Sequence, residues 1–535
     1  MAQQQMQVLV LPEGYERILG GNAMRANISA AKAVSDAVKT TLGPKGMDKM
    51  LVDDMGDITI TNDGATIVDK LKVEHPAAKL MVEIAKTQDK EVGDGTTTAL
   101  IYAGKLLEGA MDLFEKNIHP SVIISGYKAA QEHIQKYLED NAQDIDLNDN
   151  EALIKIASVS VAGKTLDVDP SHIGKLCVEA IKTIAETTNK KLNIDQDNVQ
   201  IIKKKGGAVS DSEIVKGMVI EKEVVHAQMP KKITNAKILL LNAAIEVKKT
   251  ETKGEIEIDT PAQMQAFLDE EERMLKDMVE SIKKTGANVV FCQKGIDDMA
   301  QYYLAKSGIM AARRVKESDM KKLSKATNAN VLNSMRNLSS DTLGKAGVVE
   351  QTKMAGDDFI FVRECVNPKV ATIILRGGTE HVIDELERGI KDGLGSLSSA
   401  LEMKKIVIGG GAVEIAAAEE LRKFAVTQSG KEQLAVKKFA DALEDIPKTL
   451  AESAGMDVID TLVILRKHYS EEKKDYGVDV VEGKTGNMYE KNVVEPLKVK
   501  IQALKSATEA VDMILRIDDV IASTKKGGGM PPGGM

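Results

Sequence analysis

The chain changes texture twice along its length, and this limits its possible folds more than any single residue does. Across residues 27–141 apolar side chains recur at helical spacing: Ile28, Ala31, Val34, Ala37, Val38 and Leu42 share one face, and Ala78, Met81, Ile84 and Ala85 share another. The helical period returns over 412–470 and 503–515. Between these flanks, short apolar runs alternate with helical segments. Residues 199–202, 218–220, 238–241, 289–291, 309–311, 370–375 and 406–408 read as strands, and the unbroken run at 238–241 reads as a buried one. Such alternation points to an α/β domain. At ordinary domain size, 535 residues make roughly three domains. The acid- and Asn-rich stretch 139–151 is the first plausible boundary.

Local signals place the elements more finely. Gly43-Pro44-Lys45-Gly46 stops the first helix. Residues 57–67 alternate, and Asn62-Asp63-Gly64 between Ile60 and Ile67 predicts two strands joined by a tight turn. Pro76 and Pro120 sit where helix first turns accept proline. Residues 152–186 read as helical. Thr260-Pro261 opens a helix whose apolar face is Met264, Phe267, Leu268, Leu275, Met278, Val279 and Ile282, and Gly286 lies just past its end. The charged run 246–259 before it reads as solvated. Val8-Leu9-Val10-Leu11 reads as an edge strand or docking arm, and the Gly/Met/Pro tail 527–535 as disordered.

Composition excludes several classes. A net charge of −9 does not suit a general nucleic-acid binder. Cys177, Cys292 and Cys365 have no zinc or disulfide spacing and read as small core residues. No apolar run approaches a membrane span and no signal peptide opens the chain, so a cytoplasmic location is expected. Aromatic residues are 3% of the chain with no Trp, so the cores must be built from Ala, Val, Ile, Leu and Met.

One stretch carries candidate chemistry: Gly93-Asp94-Gly95-Thr96-Thr97-Thr98, followed by the apolar Ala99-Leu100-Ile101. Glycines allow close approach, threonines suit a helix start, and a helix N-terminus offers N–H groups to an anion. A lone carboxylate there suits a magnesium ion bridging phosphates. The same stretch, taken alone, reads more readily as a capped helix after a glycine turn. No Gly-x-x-x-x-Gly-Lys-Ser/Thr loop, Gly-x-Gly-x-x-Gly after a strand, or Gly-x-Ser-x-Gly elbow occurs.

Several longer segments in order are more specific. Residues 40–52 (Thr-Thr-Leu-Gly-Pro-Lys-Gly-Met-Asp-Lys-Met-Leu-Val) precede Thr61-Asn62-Asp63-Gly64-Ala65-Thr66-Ile67, then the 93–98 motif, then Gly409-Gly410-Gly411-Ala412. This order resembles the chaperonin family. Gln293-Lys294-Gly295-Ile296-Asp297-Asp298, Arg376-Gly377-Gly378-Thr379-Glu380-His381-Val382 and Ile514-Leu515-Arg516-Ile517-Asp518-Asp519 narrow the resemblance to its group II branch, the archaeal members above all.

The resemblance implies a multidomain α and α/β fold. A mostly helical, discontinuous equatorial ATP-binding domain would comprise 1–148 and 404–535. A small α/β intermediate hinge domain would comprise 149–217 and 370–403. An α/β apical domain at 218–369 would carry a helical protrusion, a built-in lid, at about 246–280. It implies a chaperonin ATPase that encloses non-native proteins in two stacked rings of eight subunits, homomeric or heteromeric, with no nucleic-acid or membrane partner. ATP/ADP, magnesium and an accessory potassium ion are the expected cofactors.

By position, Asp94 resembles the magnesium ligand. Gly95, Thr96, Thr97 and Thr98 would hold phosphates, and Thr41, Leu42, Gly43 and Pro44 would cover them. Gly410 would pack on the nucleotide, with Asp479, Glu495 and Lys500 at or near the nucleoside. Lys164 would approach the terminal phosphate. Asp63 and Asp392 would orient the attacking water, in the positioning logic of phosphoryl transfer. Without the resemblance, Asp392 on its helix reads as a solvated face residue. The chain departs from the family pattern at Met403-Lys404-Lys405, where an acidic-Gly turn is common, and at Gly20-Gly21-Asn22-Ala23-Met24-Arg25.

Overall fold

The computed structural model describes residues 15–163, 169–188, 191–247 and 260–523. Lys164, most of the charged run 246–259, residues 8–11 and the tail 527–535 lie outside the described residues. The chain forms two compact units, one of 1–146 with 403–535 and one of 147–402.

The first unit is a helical body made from both ends of the chain. Helices Gly21–Lys39, Pro76–Val92, Thr96–Glu115, Pro120–Asn141, Ala412–Thr427, Glu432–Leu443 and Leu497–Leu515 share one apolar core. Aromatic residues are few, so small side chains set the packing. A Cβ at Gly104 would overlap the Ser35 side chain, and one at Gly126 would lie 2.6 Å from the Ala435 Cβ. Glycine at these two positions lets neighbouring helices approach closely, which recovers dispersion energy that bulkier residues supply elsewhere. Strand Tyr15–Leu19 pairs antiparallel with Asp519–Ser523, fastened by Arg17 on Asp519 at 2.5 Å. A second small sheet runs Val494–Pro496, Lys405–Ile408, Gln143–Asp144. Lys404, at the departure from the family pattern, takes φ +55°, a left-handed conformation that glycine would adopt without strain.

One expected turn is a helix instead. Ile58–Thr61 is a strand, but it pairs backwards with Lys49–Val52, and Gly64–Lys70 is helical. Asp63 caps that helix: its Oδ2 accepts from the Thr66 N–H at 2.8 Å and from the Thr66 hydroxyl at 2.6 Å. Asx capping at a helix start competes with Asx-Gly turn chemistry, and here it wins. Two other helices begin earlier than expected, at Gly21 and at Leu497.

The second unit is built on a mixed sheet. Its strand order is Met310–Ala312, Val289–Cys292, Lys232–Leu241, Gly344–Met354, Asp357–Arg363, Glu213–Ile220, Ala371–Gly377, Val199–Lys205. Val289–Cys292 runs parallel to both its neighbours, and Ala371–Gly377 runs parallel to Val199–Lys205. The unbroken run at 238–241 is explained by burial on both faces. Ile238 and Leu240 enter one core, Leu239 and Leu241 another, following the two-residue period of a strand.

Helices Asn150–Val161, Pro170–Ile184 and Glu380–Met403 also belong to this unit up to residue 402. Helix Pro261–Lys284 starts with a capping box between Thr260 and Gln263. Its expected apolar face is only half used. Leu275, Val279 and Ile282 are buried, but Met264, Phe267 and Leu268 are exposed because the first turns extend past the core. Among the described residues no helix is long and apolar enough to cross a membrane.

Candidate nucleotide site

Helices Pro76–Val92 and Thr96–Glu115 are joined by three residues, Gly93, Asp94 and Gly95. Gly93 (φ +71°) ends the first helix by donating to the Asp89 carbonyl at 2.9 Å, and Gly95 (φ +77°) opens the second. Left-handed residues on both sides of Asp94 need glycine. Packing demands it too, since a Cβ on Gly95 would lie 2.6 Å from Val499 Cγ1. Asp94 is half-buried, and its Oδ1 accepts from the Gly95 N–H at 2.6 Å. Thr96, Thr97 and Thr98 are buried in the first turn, and the N-cap residue, Gly95, has no side chain with which to cap it. The positive end of the helix dipole is thus presented beside one carboxylate.

Asp63 comes to the same place. A Cβ on Gly64 would stand 2.6 Å from Thr97 Oγ1 and 3.1 Å from Thr96 Oγ1, so the two helix starts abut. Thr41 is buried and donates its hydroxyl to the Val38 carbonyl at 2.7 Å; Leu42 packs on the core and Pro44 is exposed. Gly43 (φ +81°) lies against Leu450, and Lys45 Nζ reaches the Val481 carbonyl at 3.4 Å, beside Asp479.

The opposite side is formed by the glycine turn 409–411 and the chain around it. Gly410 (φ +65°) accepts from the Val478 N–H at 2.8 Å, and a Cβ there would lie 2.6 Å from Met488 Sδ. Asp479 is buried and holds its own turn, accepting from the N–H groups of Val481 and Glu482 at 3.0 and 3.1 Å, with Lys491 Nζ 3.1 Å from its Oδ2. Burial alone would push its carboxyl up. The Glu482 N–H, Lys491 and the Val481 N–H outweigh that and hold it below its ordinary value.

Glu495 lies across Gly409, whose absent Cβ would stand 2.6 Å from Glu495 Oε1. Its other oxygen pairs with Lys500 at 2.7 Å, and Lys500 pairs equally with Glu414 at 2.7 Å. Tyr102 donates its hydroxyl to Glu414 Oε1 at 3.3 Å. Burial raises the Glu495 carboxyl above its ordinary value; Lys500 opposes this, while Glu414 and Asp94 reinforce it. Burial works to lower the Lys500 ammonium, yet Glu414 and Glu495 prevail and its value is raised. Lys500 is only 4% exposed, so its charge is spent on these two carboxylates.

Thus Thr41–Pro44, Asp63, Asp94–Thr98, Gly410, Asp479, Glu495 and Lys500 all belong to the first unit and are linked by these contacts. Asp392 belongs to the second unit, where it is 8% exposed on helix Glu380–Met403 rather than on a solvated face. Glu414, Tyr102 and Gln88 were not expected. The Gln88 amide donates to the carbonyls of Asp94 at 2.9 Å and Val499 at 3.2 Å. Their signal was faint but present: Gln88 sits in register with Met81, Ile84 and Ala85, and Glu414 interrupts an apolar helix start. A polar residue on an apolar stripe points to a buried partner.

The sequence profile of the TCP-1/cpn60 chaperonin family matches residues 34–525. A thermosome subunit of Methanopyrus kandleri is 56% identical over 97% of this chain and 95% of its own length. One of Pyrococcus horikoshii is 54% identical over 98% and 96%, and the thermosome subunit alpha of Archaeoglobus fulgidus 53% over 96% and 95%. The chain belongs to the TCP-1/cpn60 chaperonin family. Within it, likeness to thermosome subunits along nearly the whole length makes it a chaperone of the group II type.

Proposed function

We propose that this chain hydrolyses ATP to ADP and phosphate in the cradle of its first unit, and that the cycle encloses and releases non-native proteins. The reading is carried by one observation: a helix start with glycine as its N-cap, Gly95–Thr98, stands beside Asp94 and abuts the Asp63 helix start. Phosphates suit the helix start. Magnesium suits Asp94, because that ion takes one or two carboxylates and completes its shell with phosphate oxygens and water. When bound, the ion would neutralise charge on the phosphates.

The chain's own groups do the rest. Backbone N–H groups and hydroxyls of 96–98 hold phosphates, residues 41–44 cover them, and Gly410 and Glu495 flank the nucleoside. Asp63 orients water. The roles of Asp392 and Lys164, the potassium ion and the three-domain division rest on the sequence resemblance. We further propose a cytoplasmic assembly of two stacked eight-membered rings. An apolar hairpin supports subunit contacts: Met47, Met50, Val52, Met55 and Ile58 are all exposed on or beside the Lys49–Val52/Ile58–Thr61 pair, with Met55 at 92%. A patch of that kind marks an interface.

Phosphate release from purified protein with ATP and magnesium is the test, read beside negative-stain images. Steady release and stacked rings are expected. Release no greater than that of an Asp392→Ala control, or a small compact oligomer in the images, would overturn the reading.

A further inference from the structure

Glu414 is 2% exposed, and one of its oxygens takes both of its partners: Oε1 accepts from Lys500 and Tyr102, while among the described residues Oε2 has no hydrogen-bond partner. A buried carboxylate with an unsatisfied oxygen is destabilising, and an apolar residue of similar volume would serve packing better. Stability is therefore a poor account of Glu414. Its geometry supplies another. Lys500 divides its ammonium between Glu414 and Glu495 at 2.7 Å each. Glu495 is held between that ammonium and the space left by the missing Cβ of Gly409, with about a quarter of its side chain (26%) still open. An unanchored glutamate keeps rotamer freedom that binding would have to remove.

We infer that Glu414 is a positioning residue: it fixes Lys500, and Lys500 fixes Glu495 at the edge of the nucleotide cradle. This rests on the nucleotide reading above and deepens it. It also gives Lys500 a positioning task in place of nucleotide contact, since its ammonium is already engaged on both sides. Glu414 does not touch the reacting atoms, so its loss should weaken ground state and transition state alike, raising KM and leaving kcat.

The experiment uses the full chain and Glu414→Gln, which keeps the shape and an acceptor for Lys500 but removes the charge. ADP affinity with magnesium is measured by calorimetry, beside KM and kcat for ATP. Glu414→Gln should weaken ADP binding about tenfold and raise KM by the same factor, with kcat within about twofold. The double variant Glu414→Gln/Glu495→Gln should bind no worse than Glu495→Gln alone, because both changes act through one carboxylate. A purely structural role would lower the melting point and leave the affinity of folded protein unchanged. ADP affinity within twofold of wild type overturns the inference, as does a double variant whose loss equals the product of the single losses. If Glu414→Gln does not fold, Glu414→Leu/Lys500→Met replaces the buried pair with apolar side chains and should show the same weakened binding. Wild-type affinity in that variant, or failure of both proteins to fold, overturns the inference. Wild-type protein that binds no ADP sinks the nucleotide reading itself, a distinguishable result.

Discussion

Asp94 and Glu495 are carboxylates of one proposed cradle, held by different means. Asp94 is set by backbone: two left-handed glycines flank it and its Oδ1 takes the next residue's N–H. Glu495 is set by side chains: Lys500 grips it, Glu414 grips Lys500, and Tyr102 touches Glu414. The first wall is held by the two helices that its three residues join and by the close packing of Gly95 on Val499. The second is rigid only while a chain of charge pairs stays intact. A backbone wall should therefore fail by strain, and a side-chain wall by loosened binding.

Removing the charge of the first wall gives the largest effect. Asp94→Ala should lower phosphate release at least about hundredfold, the scale of losing one electrostatic group aimed at transferring phosphate. Its fold should persist, because the loop's shape comes from Gly93 and Gly95. The melting point should move by a few degrees at most. Normal hydrolysis in this variant would remove Asp94 from the chemistry and leave the helix start as capping alone.

The same difference explains what could be read in the sequence. The first wall is six consecutive residues whose chemistry is local, so the motif and the helix starts at Pro76, Thr96 and Pro120 were close to legible. The second joins residues 102, 414, 495 and 500, and no local pattern names a partner that far away. Pairing of Tyr15–Leu19 with Asp519–Ser523 was hidden for the same reason. Asp63-Gly64 was misread as a turn because Asx capping and Asx-Gly turns use the same residues; only Thr66, offering both donors to Asp63, tips the balance. Asp392 looked solvated because its helix is rich in charge, yet Ile390, Gly393 and Leu394 around it are buried. Helix Pro261–Lys284 failed in the opposite sense, since periodicity shows where apolar residues lie and not whether a core reaches them.

Two glycine substitutions sharpen the contrast between the walls. Gly95→Ala forces a side chain into φ +77° and against Val499 Cγ1 at 2.6 Å. It should cost about 2–3 kcal/mol, read as a lower urea midpoint. In Gly409→Ala the new Cβ meets side chains only, the Glu495 carboxylate at 2.6 Å and Val493 Cγ1 at 3.0 Å, and its φ needs no left-handed residue. The expected cost is under about 1 kcal/mol. ADP affinity should nonetheless fall several-fold as Glu495 is pushed aside. Equal stability losses in the two variants would erase the distinction between backbone and side-chain walls.

The smallest expected effect concerns acid stability and tests whether Asp479 belongs with the side-chain wall. Its carboxyl lies below its ordinary value of 3.8, because two N–H groups and Lys491 outweigh burial. A carboxyl depressed on folding adds stability that is fully present above the unfolded value and is lost as pH falls through the folded one. Wild-type protein should therefore lose this contribution only below about pH 4. Asp479→Asn should be less stable at neutral pH, and the gap should close on acidification, with thermal midpoints of the two converging below pH 3.8. A gap that stays constant with pH would mean that Asp479 holds its turn by hydrogen-bond geometry alone, as the backbone wall does. The charge of Lys491 would then contribute nothing measurable, as holds for many exposed pairs.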